Sequence, residues 1–101
     1  MIRGTTPLLE FGLPFPTDII KEAWLTFSQF NKEVFTIEDE ALTMEGSLIS
    51  VKLTQEQTLL LSQNSALEIQ IRILTNNGDA LASNIIRTDV GRILKDGEIH
   101  E

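Results

Sequence analysis

The sequence predicts an all-β fold, an immunoglobulin-like antiparallel β-sandwich of about seven strands with one or two short helical turns. Three observations predict it. Apolar residues recur with a period of two, the spacing that puts alternate side chains on one face of a strand. Turn-forming residues interrupt the pattern roughly every 8–12 residues, as in two packed antiparallel sheets. The chain has 101 residues, 42% of them hydrophobic and 23% charged, enough for one core without a metal or a disulfide. A single domain over 1–101 is expected. The same period fits a small closed barrel, which stays open as the alternative.

The elements follow in order. Leu9, Phe11 and Leu13 alternate with Glu10 and Gly12 as a first strand. Pro14 and Pro16 keep the next segment extended, and Thr17 to Lys21 fits one helical turn. Ala23, Leu25 and Phe27 then oppose Trp24, Thr26 and Ser28. Asn31-Lys32 separates that strand from a hairpin partner over Glu33–Ile37. Glu45-Gly46-Ser47 joins Leu42–Met44 to Leu48–Leu53, with glycine where φ is positive. Thr54-Gln55-Glu56-Gln57 has the capping-box form and predicts a helix of about two turns bridging two strands. Leu67, Ile69, Ile71 and Ile73 against Glu68, Gln70 and Arg72 form the clearest strand. Asn76-Asn77-Gly78-Asp79 is the strongest turn signal and leads into Ala80–Arg87, where Ser83-Asn84 marks a bulge or a change of sheet. Thr88–Leu94 continues that strand or forms a separate last one, and residues 96–101 are expected to fray. The predicted interior is Leu9, Phe11, Leu13, Leu25, Phe27, Val51, Leu53, Leu67, Ile69, Ile71 and Ile73.

Chemistry is sparse. The one histidine, His100, stands beside the last residue, where nothing would orient it as a base, and there is no cysteine. Catalytic, cofactor-binding and metal residues are therefore expected to be none; zinc cannot be assembled from one histidine and no thiol. Glu38-Asp39-Glu40 and Asn76-Asn77-Gly78-Asp79 lack the spacing of a calcium loop and are read as solvated sheet ends. Eight basic against fifteen acidic residues leave a net charge of −7, which repels phosphate backbones and disfavours nucleic acid. No apolar run approaches the ~20 residues of a membrane span, and the N-terminus lacks a signal-peptide core.

What remains is surface for protein partners. Trp24 has the parity opposite to the core residues of its strand and is flanked by Thr26, a composition suited to an interface anchor. The alternative is that a loop covers this face, or that both faces are buried. Ile85-Ile86 sends apolar groups to both faces of a sheet, a second pointer to association.

Four stretches carry a family likeness: Met1-Ile2-Arg3-Gly4-Thr5-Thr6-Pro7, Val51–Leu59, Ile69–Thr75, and Ser83–Thr88 with Gly91-Arg92. Together they resemble small, roughly hundred-residue prophage-encoded proteins of Gram-positive bacteria, chiefly Firmicutes, over nearly the whole chain. The final third is more loosely similar to the first domain of phage baseplate upper proteins. The resemblance implies a β-sandwich and a structural or assembly role in a phage tail or baseplate module, and it carries over no catalytic residues. It further implies a virion component made in the host bacterial cytoplasm, its partners other phage subunits or further copies of itself. Two other roles stay open. One is a prophage accessory or regulatory protein that binds a host protein. The other is a carbohydrate-binding module, which would need Trp24 coplanar with Phe30 or Phe35.

Overall fold

The structure, a computed structural model, describes residues 1–101. Two antiparallel sheets pack face to face as a β-sandwich. The strands are β1 (Leu8–Gly12), β2 (Ile20–Gln29), β3 (Lys32–Glu38), β4 (Thr43–Glu45), β5 (Leu48–Lys52), β6 (Ser65–Thr75), β7 (Ala80–Ala82) and β8 (Ile86–Val90), with one helix, α1 (Gln55–Leu59). The small sheet has the order β1-β5-β4. The large sheet runs β3-β2-β6, and β7 and β8 lie in line along the free side of β6. Seven strand lines result. No ladder joins the two sheets into a closed barrel.

The period-two stretches form the strands that bury most. Ala23, Leu25, Phe27 and Gln29 of β2 point inward, as do Leu67, Ile69, Ile71, Ile73 and Thr75 of β6, and Ile49 and Val51 of β5 face them from the small sheet. Ile37, Leu42, Leu53, Leu61 and Val90 complete the core. The expected interior needs one correction. Leu9, Phe11 and Leu13 are only half-buried and pack on the rim of the core. β1 is an edge strand of a three-stranded sheet, so one of its flanks has no neighbour to cover it.

Local signals set the connections. The capping box of α1 is complete: Gln57 N–H donates to Thr54 Oγ1 at 3.1 Å, and Thr54 N–H to Gln57 Oε1 at 2.9 Å. At five residues the helix is shorter than expected, and it carries the chain from the small sheet to the large one. Thr17–Ile19 forms the anticipated turn before β2, and a second 3-10 turn occupies Asp39–Ala41. The hairpin β2–β3 turns through Phe30 and Asn31, with φ of 55° and 61°, one residue earlier than its polar pair implied. Two positive φ values in a two-residue loop suit Asn-Gly, not phenylalanine. Replacing Phe30 by Asn should therefore raise stability by about 0.5–1 kcal/mol, read from urea unfolding.

The terminal segments are tied to the body of the fold. Arg3 N–H donates to Gly91 O at 3.0 Å and Gly91 N–H to Met1 O at 2.7 Å, so the first residues lie beside the end of β8. The Arg3 guanidinium, half-buried, donates through Nε to Leu61 O (3.0 Å), through Nη2 to Leu59 O (3.1 Å), and through Nη1 to the Asp96 carboxylate. Gln55 exchanges two hydrogen bonds with the backbone of Ile99. The segment 96–101, expected to fray, is thus held at Asp96 and at Ile99. Its anchors are side chains far away in the chain.

Candidate interaction surface

The outer face of the large sheet is set by the parity of β2. With Leu25 and Phe27 turned inward, Trp24 and Thr26 must face out, where both are half-buried. Trp24 lies between Glu38 of β3 and Arg72 of β6, its directly opposed neighbours. Thr26 and Thr36 share a 3.0 Å hydrogen bond, and the Thr36 hydroxyl donates to Glu33 at 2.7 Å. These residues line a shallow trough of about 540 Å³ that ends at Leu74 and Ala80. The trough is mixed in charge and apolar only at Trp24 and along its end.

Ile85 and Ile86 sit elsewhere. Both are exposed, on the opposite side of β6 from Trp24, and Ile86 pairs with Ile69 and so shares the inward parity. The four residues singled out in the sequence are not gathered into one patch: two face outward mid-sheet and two stand at a sheet edge. The aromatic rings are also dispersed. Phe35 stacks on buried Phe27 with centroids 4.5 Å apart, Phe30 projects from the hairpin tip, and neither makes a platform with Trp24.

The edge itself has a definite construction. β7 and β8 both pair with β6, but the register advances by one residue between them, so Ser83 to Ile85 contain the extra residue of a β-bulge. Of the two readings left open for Ser83-Asn84, the bulge is realised. Ser83 is its pivot. Its N–H donates to Ile71 O at 2.9 Å, while its hydroxyl, in place of its carbonyl, accepts from Ile71 N–H at 3.0 Å. The freed carbonyl accepts from the Gln70 side chain at 3.0 Å, and the hydroxyl proton goes to Asn84 O at 2.9 Å. Replacing Ser83 by Ala leaves the N–H of buried Ile71 unpaired. A loss of about 1–2 kcal/mol is expected in denaturant melts, with faster amide exchange at Ile71.

Beside the bulge, Leu81 is 39% exposed on the inward side of β7. It borders a cleft of about 350 Å³ between the β1–β2 connection and β6, walled by Leu13, Phe15, Ile71 and Ile73. Sequence reasoning singled out Ile85 and Ile86 and missed Leu81. The available signal was the failure of Leu81–Ile86 to alternate, which is how an edge covered on neither side reads.

Charge lies to either side of this strip. Arg87 donates to Glu68 across β8 and β6 at 2.8 Å; that hydrogen bond and the adjacent negative charge raise the Arg87 guanidinium above its ordinary value. No three acidic or histidine side chains stand close enough together to share a metal ion. No helix is long and apolar enough to cross a membrane. Compared with protein-family models, curated proteins and solved structures, the chain matches none.

Proposed function

We propose that the protein is a non-enzymatic structural or assembly subunit of a phage tail or baseplate, working through protein–protein association. The observation that carries this role is the strip Ala80–Ile86, seven residues without a charge in a chain of net charge −7, along the free edge of the large sheet with Leu81, Ile85 and Ile86 exposed. Free strand edges pair with other strands unless charge, proline or a covering segment prevents it. The other edges carry such charges: Lys32, Glu33 and Glu38 on β3, Glu10 on β1, Glu45 on β4. Main-chain pairing at the open edge would supply affinity, and the neighbouring apolar side chains selectivity. The phage setting rests on the resemblance of the four stretches taken together, of which Ser83–Thr88 with Gly91-Arg92 is the one at this edge.

The test is composition of the particle. Phage particles purified from the lysogen that encodes this chain should contain it at a fixed copy number by quantitative mass spectrometry. A chain abundant in the induced cell but missing from the particles would overturn the structural role, and would favour an accessory protein that binds a host protein through the same edge.

A further inference from the structure

We infer that the partner of the β7 edge is a second copy of this chain, joined across a two-fold axis at Leu81 so that two large sheets become one continuous sheet. This identifies the partner within the association role proposed above, and rests on it.

The backbone sets the geometry. Thr75 N–H donates to Asp79 O at 2.9 Å and Ser83 N–H to Ile71 O at 2.9 Å, so the main-chain groups of residues 79 and 83 point toward β6. Alternation gives Leu81, opposite Ile73, the same direction and turns the N–H and C=O of Ala80 and Ala82 away, into solvent. An antiparallel copy centred on Leu81 places Ala80 opposite Ala82 of the second copy, and Ala82 opposite Ala80. These are the outward-pointing residues, and each opposed pair can exchange two hydrogen bonds. Leu81 then meets its own counterpart as a non-hydrogen-bonded pair, the kind in which side chains approach most closely.

Side chains and charge agree with this register. Ala80 and Ala82 present only methyl groups on the outer face, so nothing bulky keeps the two strands apart. The exposed Leu81 gains an apolar neighbour next to the cleft walled by Leu13 and Phe15. Two copies of net charge −7 repel one another; Ala80–Ala82 brings no charge of its own, and the nearest acid is Asp79, which this register sets opposite Ser83 of the second copy at the rim of the contact. At the far end the edge is closed, because Met1 to Arg3 lie against Gly91. That leaves a short pairing, and a short pairing between like-charged copies makes a reversible dimer that strengthens with salt.

Sedimentation velocity of the full chain from about 5 to about 500 µM should show a monomer–dimer equilibrium that shifts toward dimer as salt rises. Ala82→Pro removes an outward N–H without breaking any bond to β6, and should weaken the dimer about tenfold or more while leaving the melting temperature of the dilute, monomeric chain unchanged. The chain has no cysteine, so Leu81→Cys adds a single thiol, which should form a covalent dimer under mild oxidation, whereas Glu45→Cys on the β4 edge should not. A chain that stays monomeric throughout overturns the inference. So does a dimer that Ala82→Pro leaves intact, which would mean that copies meet through another face. In either case the association role is judged separately, by whether the chain is present in the particles.

Discussion

Phe27→Ala should cost about 3–5 kcal/mol, the range for deleting a fully buried aromatic ring. Phe27 is completely inaccessible, lies on the strand between β3 and β6, and stacks on Phe35 at 4.5 Å with the ring planes 20° apart. Three losses coincide. The ring's transfer free energy disappears, a cavity opens between rigid sheets that cannot collapse into it, and the Phe35 ring loses its partner. For a domain of this size the melting temperature should fall by roughly 15 °C or more. Guanidinium unfolding gives the value directly. A loss under about 1.5 kcal/mol would mean that the sheets close over the vacancy, and the two-layer core would then be softer than its packing implies.

The second large effect is expected at a polar residue. Arg3→Met keeps most of the stem but removes the donors that satisfy Leu59 O and Leu61 O at the C-terminal end of α1. Leu59 O is a carbonyl the helix cannot satisfy internally and Leu61 O lies just past its C-cap Leu60, and a cation beside them also opposes the negative end of the helix. A loss of about 2–3 kcal/mol is expected in urea unfolding, since each bond is charge-assisted and part-buried. Arg3→Lys should recover only part of it, because an ammonium cannot span two carbonyls and a carboxylate as a planar fork does. The Asp96 contact adds a pH dependence. Its carboxyl is held below the ordinary carboxylate value, first by the hydrogen bond from Arg3 and then by one from the Gly97 backbone. A depressed folded-state value contributes stability that is present above the ordinary range and is lost as pH falls through the lower folded value. The difference in melting temperature between the parent chain and Asp96→Asn should therefore be constant near neutrality and narrow in acid.

The two substitutions mark what kind of information each stretch of sequence held. Phe27 was legible because its neighbours Ala23 and Leu25 share its parity, and a strand buried on one face writes that parity into three or four consecutive alternations. The α1 cap and the glycine turns at Gly46 and Gly78, with φ of 61° and 86°, were legible for the same reason: their interactions span only a few residues. Arg3 was not. Its partners lie 56, 58 and 93 residues away, and nothing near position 3 encodes them.

The candidate surface divides in the same way. Trp24 was correctly turned away from the core by parity alone, and the sequence located the irregularity at Ser83-Asn84. It left open whether that irregularity bulges or changes sheet, and it treated Ile85-Ile86 as one apolar pair facing two ways. The one-residue advance along β6 decided both points.

By itself the sequence determined the fold class, the inward faces of the two longest strands, the helix cap and most of the turns, all of them products of interactions between residues close together in the chain. Only the tertiary structure decided which edges remain open, how deeply β1 is buried, and what holds the ends. Those outcomes depend on which strand comes to lie beside which. Neighbours in space, unlike neighbours in sequence, are fixed by the closing of the whole core and not by the residues on either side.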